Sequence, residues 1–221
     1  YKQPAGGDTS QAAVVPHYHG PGCEARFFSV IQSRSLSYHV HSLLPAIRES
    51  RMWQFIGKKR PEFAEIPGPG RESVWDYPRP PALVPSESLV EVINGSTVLA
   101  STQGAIRVLE TASPPTYYLP PADIDWTQLT RAQGSSFCEW KGAATYWAIA
   151  NDPHGKMVGW SYEDPSEAFS GIKGYASFYP ALVSCRVDGE IVRPQPGGFY
   201  GGWITDSIVG PFKGEPGTGH W

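Results

Sequence analysis

The chain has 221 residues, 40% hydrophobic content and a net charge of −3: room for one large domain, or a domain with an extension, and none of the positive excess that wholesale nucleic-acid binding requires. Gly and Pro, at 24 and 22 residues, are too many for a helical protein and suit short strands joined by tight turns. Three cysteines exclude a disulfide framework and fit reduced thiols in a reducing compartment, and no apolar run approaches the roughly 20 residues of a bilayer-spanning helix.

Charge is unevenly placed. Residues 1–70 carry eight Lys/Arg against five Asp/Glu, whereas residues 71–221 carry ten against sixteen, so a basic extension precedes an acidic body. Residues 1–25 are polar, punctuated by Gly and Pro, and read as loop. Residues 27–44, "FFSVIQSRSLSYHVHSLL", fit either strand or short helix. Pro45 then suits the first turn of a helix over residues 46–56, stopped by Gly57 and followed by Lys58, Lys59 and Arg60, whose charge suits a helix C-terminus. "IPGPGRES", residues 66–73, reads as a linker. Two H-x-H pairs, His17/His19 and His39/His41, lie in the extension without carboxylates or a Cys pair at a familiar spacing, so no metal site is expected, and no cofactor either.

From there the chain reads as antiparallel β. "LVEVINGSTVLAS" alternates around Asn94-Gly95, a type I′ hairpin signal, and "CRVDGEIV" repeats the device at Asp188-Gly189. Between them "AIRVLE", "TYYLP", "FCEWKG", "TYWAIA", "MVGWSY" and "YASFYP" are short β-branched or aromatic runs bounded by turn residues. One short helix is expected over residues 165–172, capped by Asp164.

Several phrases in order carry a resemblance. These are "ESVWDYPRPP" (72–81), "RVLETASPPTYYLPPADI" (107–124), "CEWKGAATYW" (138–147), "WSYEDPSEAF" (160–169) and "FYPALVSCRVDGEIVRPQPGGFYGGW" (178–203). Over about residues 71–212 the chain resembles the family known as domain of unknown function 427. The resemblance implies a single β-tent-type domain at residues 71–221 and no settled chemistry. A nucleotidyltransferase label is sometimes attached to the family. The sequence has neither a G-x-x-x-x-G-K-[ST] loop nor paired carboxylates on a Gly-Ser turn to justify it. The extension, residues 1–70, falls outside the resemblance.

The candidate site residues are aromatic and charged. In "RPQPGGFYGGWIT", residues 193–205, two Gly pairs flank Phe199 and Tyr200, with Trp203 next. The loop is either a ligand wall or an aromatic plug closing the domain. If residues 137–141 form a strand, Phe137, Glu139 and Lys141 share one face and Cys138 and Trp140 the other. Glu139 and Lys141 then either position a polar ligand or form a surface pair. Cys138 is a small buried hydrophobe or a thiol activated by Lys141 or Arg107. Arg107 offers a bidentate clamp or an ion pair with Glu110 or Glu139. Tyr117 and Tyr118 alternate, one facing inward. His154, in the turn "NDPHGK", is the one histidine between residues 71 and 212, poor material for a hydrolytic triad.

Two functions follow. The first is a non-catalytic accessory subunit, docked to a larger protein complex by residues 1–70 with their basic and apolar "MWQFIGKKR". The alternative is a small-molecule-binding protein or enzyme. Its pocket would be walled by Tyr117, Tyr118, Trp140, Tyr146, Phe199, Tyr200 and Trp203, with Arg107, Glu110, Glu139 and Lys141 as polar groups for a small polar, anionic or zwitterionic ligand. A soluble location is expected, cytoplasmic or, as a processed mature chain beginning at Tyr1, in a chloroplast or mitochondrion.

Overall fold

A computed structural model describes residues 54–221. Within them the protein is mainly β, with three larger sheets. One runs Glu190–Ile191, Ser184–Val187, Val90–Asn94, Thr97–Thr102; a second runs Ala176–Phe178, Met157–Ser161, Thr145–Ile149, Leu129–Arg131. Every pairing in these two sheets is antiparallel, as is the three-stranded sheet of Ala82–Pro85, Ile106–Leu109 and Thr116–Tyr118. Leu119 extends this last sheet to the second by exchanging two backbone hydrogen bonds with Ala176, at 2.8 and 3.1 Å.

Alternation explains the core. Val90 and Val92 are fully buried while Glu91 between them and Ile93 after them are not, the period of two that a strand with one covered face produces. They join Leu99, Leu119, Phe178, Cys185 and Trp203 in the main apolar cluster. The hairpin at Asn94 differs from the sequence expectation by one residue. Asn94 pairs with Thr97, so the turn is Gly95-Ser96, with Gly95 at φ +59 in its first central position. A bulge opposite Val92/Ile93 adds Leu99 to the second strand, which lets Leu99 and Ala100 both face inward. The Asp188-Gly189 turn has φ of 50 and 82, as a type I′ turn requires, and Val187 pairs with Glu190 across it.

Three further expectations are corrected. The strand at "FCEWK" ends after Phe137–Cys138; Cys138 pairs with Gly142, and Glu139, Trp140 and Lys141 form the loop between. The residues 165–172 segment is a 3-10 turn, Glu167–Ile172, headed by Ser166 rather than capped by Asp164. Ser166 Oγ instead donates to the Trp140 carbonyl at 2.6 Å, tying this turn to that loop. In the proposed linker, Glu72–Ser73 pairs in parallel with Ile208–Val209.

The predicted helix over residues 46–56 falls mostly outside the described residues, as do both H-x-H pairs, Cys23 and the first part of "MWQFIGKKR". Its described end, residues 54–56, is not helical. This segment packs on the body. Phe55 and Phe63 meet the buried Trp75 edge to face, at 5.2 and 4.9 Å, and Phe63 stacks on Trp221 at 5.2 Å. Arg60 grips Asp76 with two 2.6 Å hydrogen bonds. Among the described residues, no helix is long and apolar enough to cross a membrane.

Candidate functional site

Eight rings line a concavity of about 140 Å³, among them Tyr118, Trp160, Tyr162 and Tyr179. Trp160 and Tyr162 stand on the same side of the Met157–Ser161 strand and its extension, two residues apart, and Tyr118 ends the Thr116–Tyr118 strand. Trp160 Nε1 donates to the Tyr118 hydroxyl at 3.0 Å, and its ring lies 4.5 Å from that of Tyr179. Burial pushes the Tyr118 phenol up to about 12, so it is neutral in the physiological range. Tyr118, Trp160 and Tyr162 belong, with Val108, Phe169 and Ile172, to a second apolar cluster.

Charge comes from separate segments. Lys141, in the corrected loop, holds its Nζ 5.8 Å from the Tyr162 ring centroid and 5.7 Å from that of Phe169. Lys213 arrives from the far end of the chain; its Nζ lies 5.9 Å from the Tyr200 centroid and donates to the Trp221 backbone oxygen at 2.7 Å. Glu110 follows the Ile106–Leu109 strand and also lines the concavity. Arg79 pairs with it from behind at 3.3 Å, its side chain only 1% exposed, and donates to the Thr111 carbonyl at 2.8 Å. Burial lowers the Arg79 pKa, and Glu110 opposes that shift. Ser136 Oγ and Tyr146 Oη, 2.7 Å apart, add a hydroxyl pair to the lining.

The glycine-rich loop is clamped to the body, and its tip forms part of the rim. Gln195 receives the Gly202 N–H at 3.1 Å and donates to the Lys213 carbonyl at 2.7 Å, both bonds buried. Gly197 and Gly214 face each other so closely that a Cβ on the first would lie 2.4 Å from the oxygen of the second. Phe199, 52% exposed, and Tyr200 line the concavity and meet edge to face at 5.3 Å.

Of the residues singled out in the sequence, Glu110, Tyr118, Trp140, Lys141, Tyr146, Phe199 and Tyr200 come together around this concavity. Four do not line it. Trp203 is fully buried in the main core, donating to the Phe178 carbonyl at 3.0 Å. Tyr117 packs on Trp203 at 5.1 Å, and on its other side opens, with Arg107, onto a separate hollow of about 320 Å³. Arg107 is there engaged with Glu72 at 2.6 and 3.1 Å, not with Glu110 or Glu139. Burial opposes ionisation of Glu72, yet hydrogen bonds from Arg107 and Tyr77 outweigh it and leave its pKa below the ordinary value. Glu139 is exposed beside the concavity; partial desolvation first, then the electrostatic influence of Cys138 and Glu110, raise its pKa.

Sequence reasoning missed Arg79, Trp160, Tyr162, Tyr179 and Lys213. Trp160 and Tyr162 had a signal, since "MVGWSY" read with a period of two puts both rings on one face. Lys213 and Arg79 had none, because only chain folding brings positions so far apart together. Cys138 and Cys185 are buried thiols, and burial pushes the Cys185 thiol well up. Among the described residues no three His, Cys, Asp or Glu side chains are placed to hold a metal.

No curated protein matches the chain. The family model described as Domain of unknown function (DUF427) matches residues 82–193, which supply much of the ring wall and Lys141, while Arg79, the glycine-rich loop and Lys213 lie outside that match. With half of its length so matched, the chain belongs to the DUF427 family.

Proposed function

We propose that the body of this protein is a ligand-binding module whose site is the ring-lined concavity, and that its ligand is a small organic carboxylate of single-ring size. The observation that carries this reading is the convergence of eight rings and two lysines, drawn from widely separated segments, on one hollow. A volume of about 140 Å³ is below that of drug-sized pockets and close to the roughly 150 Å³ cavity that takes up benzene. Apolar ring walls supply affinity by area, and ammonium groups in their midst supply orientation and sign. Benzoate is a suitable probe. Titrated into the full chain and followed by NMR, it is expected to shift the Trp160 indole N–H saturably, leaving that of Trp203 in place. Lys141→Met is expected to weaken binding roughly tenfold, as loss of a charge-assisted contact implies. Uniform, non-saturating shifts of all indole signals refute the reading.

A second reading, an accessory subunit docked to a larger assembly by its extension, draws support from the packing of residues 54–66. Phe55, Phe63 and Arg60 fix this stretch to the body. Removal of residues 1–53 keeps those contacts. It is expected to preserve the melting temperature and to release the protein from its native-size complex; retention of the same partners refutes it.

A further inference from the structure

Resting on the concavity reading above, we infer that the ligand is a zwitterion, an α-amino acid with a single ring or a short branched side chain, its ammonium at Glu110 and its carboxylate on the lysine side. A site built for a plain anion gains nothing from a carboxylate in its wall, which repels the ligand. Glu110 is nevertheless part of that wall. It is anchored from outside: Arg79, itself 1% exposed and tied to the Thr111 carbonyl, holds Glu110 Oε1 at 3.3 Å, while the Glu110 side chain stays 26% exposed. A carboxylate fixed by a buried guanidinium and still open on one side is a preorganised acceptor for a cationic donor.

The opposite sign is supplied by Lys141 and Lys213, each lying over aromatic rings in the same lining. A ligand carrying both charges converts the Glu110 repulsion into attraction and keeps its attraction to the lysines. Its side chain then faces Trp160 and Tyr179, whose rings lie 4.5 Å apart.

The test compares three probes on the full chain by calorimetry: L-phenylalanine, 3-phenylpropanoate, which lacks the ammonium, and 2-phenylethylamine, which lacks the carboxylate. The amino acid is expected to bind at least about tenfold more tightly than either, the scale of one charge-assisted contact. In Glu110→Gln, L-phenylalanine is expected to fall to the level of 3-phenylpropanoate, which itself binds no more weakly than before. Glu110→Gln leaves buried Arg79 without its carboxylate, so the wild-type ratio decides if that variant does not fold. Equal binding of 3-phenylpropanoate and L-phenylalanine by the wild type overturns the zwitterion inference and leaves the anion site standing. Failure of all three probes overturns the inference, and failure of benzoate as well removes the site.

Discussion

Gly201 is a position where a single added methyl group should have a large effect. Its backbone lies outside the left-handed region, so alanine is conformationally acceptable there. The obstacle is contact: a Cβ would lie 2.1 Å from Cη2 of Trp160 and 2.7 Å from Cζ3. Ordinary carbon–carbon contact begins near 3.5 Å, so ring or loop must yield by roughly 1.4 Å. Trp160 is 8% exposed and its Nε1 is tied to the Tyr118 hydroxyl, so it has little freedom to move. Overpacking of this kind costs about 1–3 kcal/mol, and a displaced ring that orphans the Tyr118 bond adds about 1 kcal/mol or more. A total of about 2–4 kcal/mol corresponds to a fall in Tm of very roughly 5–15 °C for a domain this size. Gly198→Ala is the control. It has φ +66 and no atom within 4 Å of the new Cβ, so it carries only left-handed strain, about 1–2 kcal/mol. Urea unfolding followed by tryptophan fluorescence, with the Trp160 indole N–H read by NMR, separates the two. Gly201→Ala as stable as Gly198→Ala, with the Trp160 signal unmoved, refutes the close-approach argument.

Three other outcomes are expected. Tyr118→Phe removes the acceptor of a buried indole N–H and should cost about 1–3 kcal/mol by urea titration; an unchanged midpoint contradicts the hydrogen bond. Trp203→Phe should lower stability but leave benzoate affinity of the folded protein within about twofold, since this ring belongs to the core and not to the concavity; a large affinity loss puts it in the site. Glu139 has a folded-state pKa raised above its ordinary value, so its stabilising contribution is complete below that ordinary value and is lost as pH rises through the raised one. Glu139→Gln should therefore be more stable than wild type at pH 7 and lose that advantage as pH falls through this window; a pH-independent difference rejects the shift.

The sequence by itself determined the class of fold, because strand alternation and turn chemistry act over a few residues. Val90 and Val92 face inward and Asp188-Gly189 turns as its residue types require. Where tertiary packing competes, local reading failed: a bulge that buries both Leu99 and Ala100 moved the Asn94 turn by one residue, and pairing of Cys138 with Gly142 broke the expected strand before Glu139. The site divides in the same way. That rings and charges would gather was legible from their density, but sorting them was not. Trp203 went to the core and Arg107 to Glu72, while Lys213 reached the concavity and Arg79 came in behind its Glu110. Those destinations depend on which segments the sheets bring side by side, a property of the closed chain that no short stretch of residues contains.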